Sequence, residues 1–193
     1  MRQILPAFIF VAASLAATPA FAHTGHGSSG FAAGLVHPFN GLDHLLVMIG
    51  VGLWAMQLGG RNLWLVPLAF MVTMAIGAAS SLFALPLPQV ELGIAGSVVV
   101  IGLLVAFGAK LPSGMAATIV ALLSFFHGHA HGSELPEAAS ALGYGLGFMI
   151  STAILHSIGL GLGSAFARLA KPMLARGVGF LAAILGGALL AGF

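Results

Sequence analysis

The chain has 193 residues, 60% of them hydrophobic and only 5% charged, which leaves too little polar material to cover a soluble globule of this size. Six Lys and Arg against four Asp and Glu amount to a few loop cations, not the basic patch that nucleic-acid binding requires. There is no cysteine, so disulfides, thiolate metal sites and iron–sulfur clusters are excluded, and any metal must be held by nitrogen and oxygen with at most a thioether beside them.

Residues 1–22 read as a cleavable signal peptide: Arg2 gives the positive start, Ile4 through Ala17 an apolar core, and Ala20-Phe21-Ala22 a small-x-small cleavage site. An additional membrane helix fits less well, because the core is short and ends in Thr18-Pro19. Residues 23–32 then form a flexible leader on the translocated side. After cleavage, the new amine and the imidazoles of His23 and His26 offer a site for a divalent ion, although an unstructured leader accounts for them equally well.

Residues 33–193 read as one all-α transmembrane domain of six helices, at approximately 33–58, 63–85, 90–108, 112–132, 138–166 and 173–192, each near the ~20 residues a helix needs to cross the hydrocarbon. Arg61, Lys110, Arg168, Lys171 and Arg176 all fall in or beside the odd-numbered connections. By the positive-inside rule these connections are cytoplasmic, which puts both termini of the mature chain outside, in the periplasm of a bacterial inner membrane. Gly143, Gly145 and Gly147, Gly159, Gly161 and Gly163, and Gly177 and Gly179 are expected to let neighbouring helices approach closely.

Polarity is concentrated where it is expensive. The first run opens with His37-Pro38-Phe39-Asn40-Gly41-Leu42-Asp43-His44, and charged or imidazole groups in a membrane segment face a protein interior, a cavity or an ion. In one continuous helix, His37 and His44 would lie about 20° apart around the axis, with Asn40 between them and Met48 a turn further on. Asp43 is placed either to ligate an ion or to orient a neighbouring imidazole. Because Pro38 pushes the residue before it out of the helical region, His37 also fits a cap or loop position.

The fourth run ends Phe126-His127-Gly128-His129-Ala130-His131-Gly132-Ser133-Glu134. If helical, it sets His127, His131 and Glu134 on one face, a spacing at which imidazole and carboxylate converge on one ion, while His129 points elsewhere. Topology puts this cluster on the same outer side as His37 and His44. Glu91 begins the third helix on that side, where a solvated carboxylate at a helix start is as good an account as ligation. His156 lies deep, toward the cytoplasmic half of the fifth helix. Two accounts stand level for it: a packing residue bonded to a hydroxyl such as Thr152, and a second station on a translocation path.

The paired motifs His37-Pro38-Phe39-x-Gly41-x-Asp43-His44 and His127-Gly128-x-Ala130-His131-Gly132-x-Glu134-x-Pro136, with the signal peptide and six spans, resemble the HupE/UreJ family of nickel permeases and hydrogenase or urease accessory proteins over essentially the whole chain. The resemblance implies uptake of Ni²⁺, with Co²⁺ second, bound by His37, Asp43, His44, His127, His131 and Glu134, and metal-delivery proteins of the outer membrane or cytoplasm as partners. The first motif is also similar to the His-x4-Asp-His motif of a separate nickel/cobalt transporter family, although here five residues separate His37 from Asp43. Donor chemistry alone suits Ni²⁺, Co²⁺, Zn²⁺ and Cu²⁺ alike. With no Gly-x4-Gly-Lys-Ser/Thr loop, transport would be facilitated or driven by an ion gradient. The competing class is an intramembrane metal-dependent hydrolase with a His and carboxylate zinc site.

Overall fold

The computed structural model describes residues 29–193 apart from 82, 84, 85, 134, 136–139 and 193. The expected signal peptide, His23 and His26 of the leader, and Glu134 therefore lie outside the described residues. The rest is all-α, with seven helices among the described residues: α1 (Ser29–Asn40), α2 (Leu42–Leu58), α3 (Asn62–Ser81), α4 (Val90–Phe107), α5 (Ser113–Ser133), α6 (Ala141–Arg168) and α7 (Pro172–Leu190).

The first apolar run differs from the single helix expected over 33–58. Helix is already present at Ser29, the first described residue, and the run is broken at Gly41, where α1 and α2 meet at 81°. Gly41 is extended (φ −102°, ψ 124°), and its carbonyl accepts from Leu45 N–H at 3.1 Å to start α2. Pro38 sits near the end of α1 and not at a helix start; it lacks an N–H and so contributes no hydrogen bond to the last turn before the break. The shared helical stripe predicted for His37, Asn40, His44 and Met48 therefore does not exist.

Four helices, α3, α4, α6 and α7, are long and apolar enough to cross a membrane, and α1 with α2 makes a fifth, bent candidate. Helix α5 has 21 residues, but its C-terminal histidines make it more polar than those spans. The protein is thus an all-α polytopic membrane protein. Its lipid-facing stripes are plain: Trp64, Leu68, Val72 and Ile76 on α3, and Leu142, Leu146, Ile150, Ile154 and Ile158 on α6, repeat every four residues and are exposed.

Helix α2 is the hub. Val47, Met48, Val51, Leu53, Trp54 and Ala55 are fully buried all round it, as expected of a helix with apolar residues on every side. Around it the helices pair α3 with α5, α4 with α7, and α1 and α2 with α6. Backbones come close where side chains are missing: a β-carbon at Gly52 would run into the carbonyl of His156, and one at Gly159 into that of Ile49. Of the glycines expected to serve packing, Gly147, Gly159, Gly163 and Gly179 do face a neighbouring helix, whereas Gly145, Gly161 and Gly177 face open space. At the end away from the histidines, Lys110 Nζ donates to the carbonyl of Gln57, and Trp54 Nε1 donates to that of Ala109 at 2.9 Å.

Candidate metal centre

The corner at Gly41 delivers two histidines to one place from two helices. His37 comes from the last turn of α1 and His44 from the first turn of α2, and α5 brings His127 and His131 to meet them. The ring centroids of His37 lie 5.6 Å from His44 and 4.7 Å from His131, and that of His44 lies 5.2 Å from His127. Two sets could each hold an ion, with candidate ligand atoms within 4.8 Å of one another: His37, His44 and His131, and Asp43, His44 and His127. His44 belongs to both.

The hydrogen bonds fix which nitrogens carry lone pairs. His44 Nδ1–H donates to Asp43 Oδ1 at 2.9 Å, so Asp43 orients its neighbour and leaves Nε2 of His44 as the donor atom for a metal. Ser97 Oγ spends its single proton on the carbonyl of Ile94 at 2.6 Å, so its contact with His127 Nε2 at 2.8 Å is an N–H donated by the histidine. That leaves His127 Nδ1 with a lone pair, fully buried and without a hydrogen-bond partner among the described residues. His131 Nε2–H then donates to His44 Nε2 at 2.5 Å, and His131 Nδ1 is likewise buried and unpartnered among the described residues. A cation entering between the two Nε2 atoms must displace the proton they share, and His131 Nδ1 can receive it. Phe148 closes the side of the cluster, 4.3 Å from His131 between centroids.

The remaining candidates sit elsewhere. His129 points away, as its spacing predicted, and donates from Nδ1 to Ser80 Oγ at 3.0 Å, since that hydroxyl gives its own proton to Gly77 O. Asn40 and Glu91 are exposed and belong to neither set. His156 lies just past the middle of α6, 12 residues or ~18 Å from Arg168. Its partner is not Thr152, whose hydroxyl donates to Phe148 O at 2.9 Å, but the carbonyl of Met48 at 2.8 Å. Met48 itself is core.

Ser97 was not anticipated, although its being the one hydroxyl in Val90–Phe107 was a usable signal, because an isolated polar group in so apolar a helix needs a partner. Two outcomes follow. Asp43→Asn and Ser97→Ala should each weaken metal affinity by roughly 10–100-fold, the range for groups that orient a ligating histidine. Equilibrium binding of Ni²⁺ to purified protein checks both, and unchanged affinity in Ser97→Ala would remove His127 from the site.

The model of the HupE / UreJ protein family matches residues 11–189 of the chain. Protein HupE of Rhizobium leguminosarum bv. viciae is 47% identical over 173 residues, which is 90% of this chain and 91% of that protein. No solved structure matches. A family match over nearly the whole length, joined to a relative so similar from end to end, means that this chain belongs to the HupE/UreJ family.

Proposed function

We propose that the protein is a permease that takes up a divalent transition metal, Ni²⁺ with Co²⁺ second, from the non-cytoplasmic side of a bacterial inner membrane to supply enzymes such as hydrogenase or urease. The observation that carries this reading is the cluster at the α1–α2 corner, where Asp43 and Ser97 orient His44 and His127 beside His37 and His131 inside a membrane protein. Neutral imidazole and carboxylate suit Ni²⁺ and its neighbours, and a discontinuous helix at the binding site is a recurrent feature of secondary transporters. In this reading α5 is the sixth span, held across the membrane by α3, residues 1–22 are removed, residues 23–32 form the leader, and both mature termini are periplasmic. Glu134 would add a carboxylate to the ligands from α5.

The hydrolase reading is weaker because Asp43, the carboxylate within the described cluster, accepts from His44 Nδ1 and so orients a ligand, leaving it poorly placed as a free general base. The test is entry of radioactive Ni²⁺ into sealed vesicles containing only this protein. Saturable uptake above protein-free vesicles is expected. Tight Ni²⁺ binding without entry would overturn the permease reading and favour a sensor or hydrolase.

A further inference from the structure

His156 is 2% exposed, in the middle of α6, and belongs to neither metal set. Its Nδ1 contacts the carbonyl oxygen of Met48 at 2.8 Å. A carbonyl can only accept, so Nδ1 carries the proton and Nε2 the lone pair. That Nε2 is buried and has no hydrogen-bond partner among the described residues. A histidine kept solely for packing would leave this nitrogen as an uncompensated desolvation cost. The pattern repeats that of His127: one ring N–H is given to an oxygen of the protein and the other nitrogen is left without a partner among the described residues, which is how ligating histidines are usually held.

One ring links the two sites. Met48 lies one turn from His44 on α2, and the fully buried ring of Phe70 neighbours both a member of the outer cluster and His156, its centroid 6.1 Å from that of His127 and 5.1 Å from that of His156. We infer that His156 Nε2 is a second, inner station for the transported divalent cation, which passes to it from His127 by way of the Phe70 ring. The inference rests on the permease reading. A single imidazole at mid-membrane binds a cation more weakly than the outer cluster, and a weaker later site is what lets an ion leave a tight first one. An aromatic face beside the path gives a partly desolvated cation some electrostatic compensation.

The test uses the full chain with Ni²⁺ alone as probe, comparing wild type, His156→Ala and His156→Gln for outer-site affinity in equilibrium binding and for flux into sealed vesicles. Glutamine can keep the donor to the Met48 carbonyl while removing the imidazole lone pair. Both variants should bind Ni²⁺ at the outer cluster within about twofold of wild type and lose at least about tenfold in flux. Normal flux in His156→Ala overturns the inference while leaving the permease reading intact. So does restoration of wild-type flux by His156→Gln, which would reduce His156 to its hydrogen bond, and so does a loss confined to stimulation by an imposed pH gradient, which would make the imidazole a proton carrier. Absence of flux in wild type itself would sink the permease reading and this inference with it.

Discussion

Replacing His44 by alanine is expected to abolish Ni²⁺ uptake and to weaken Ni²⁺ binding by more than about 100-fold, beyond the range for an orienting group alone. No other side chain has as much to lose. His44 is the member common to both ligand sets, receives orientation from Asp43 and faces His131 directly. His131→Ala and His127→Ala each remove one set and spare the other, so a graded order is expected in equilibrium binding, with His44→Ala the worst. Insertion should be unaffected, since the apolar spans that direct it are untouched, and the amount of protein in the membrane is the control. Wild-type uptake at limiting metal in His44→Ala would refute the site.

Gly128→Ala is expected to be nearly as damaging although it adds one methyl group and removes no ligand. A β-carbon there would run into the backbone carbonyl of Met74, an atom that cannot swing aside as a side chain can, so α3 and α5 must separate. Overpacking of this kind costs ~1–3 kcal/mol. Gly128 lies between His127 and His131, so the same displacement spoils the geometry on which both ligand sets depend. Lower thermal stability in detergent together with loss of vesicle uptake is the expected pair of results. Gly145→Ala, at a glycine with open space around it, should leave both unchanged. If the two substitutions behave alike, close packing is not why Gly128 lacks a side chain.

The spans were legible because their length and apolar content are local properties, and α3, α4, α6 and α7 fall within a few residues of the expected runs. The corner at Gly41 was not. Apolar residues stand on both sides of His37–His44, and the spacing of the polar residues in that stretch fits a straight helix as well as a bent run. His37 and His44 do come together, but across the bend and not along one helical face. The approach of α5 to them was legible from topology, because odd-numbered connections carry the cations and put both histidine clusters at the other end. The tautomers were out of reach. They depend on Ser97, 30 residues from His127, and on the Met48 carbonyl, 108 residues from His156, and no periodicity reports contacts at such separation.

The docking of α1 on α6 has a consequence for how the protein is assembled. Helix α1 rises ~18 Å over its twelve described residues, against the ~30 Å hydrocarbon layer. Its support comes from α6: Gly34 lies against the backbone of Tyr144, and Ser151 Oγ donates to the carbonyl of Leu35, 116 residues away in sequence. During synthesis that support is the next to last helix to emerge, so His37 cannot join His44 and His131 until almost the whole chain is made. The site closes late, and chains interrupted before α6 hold an incomplete set of ligands. Until then the set of Asp43, His44 and His127, all from helices made before α6, is the one the chain can assemble, and the set that includes His37 is completed last.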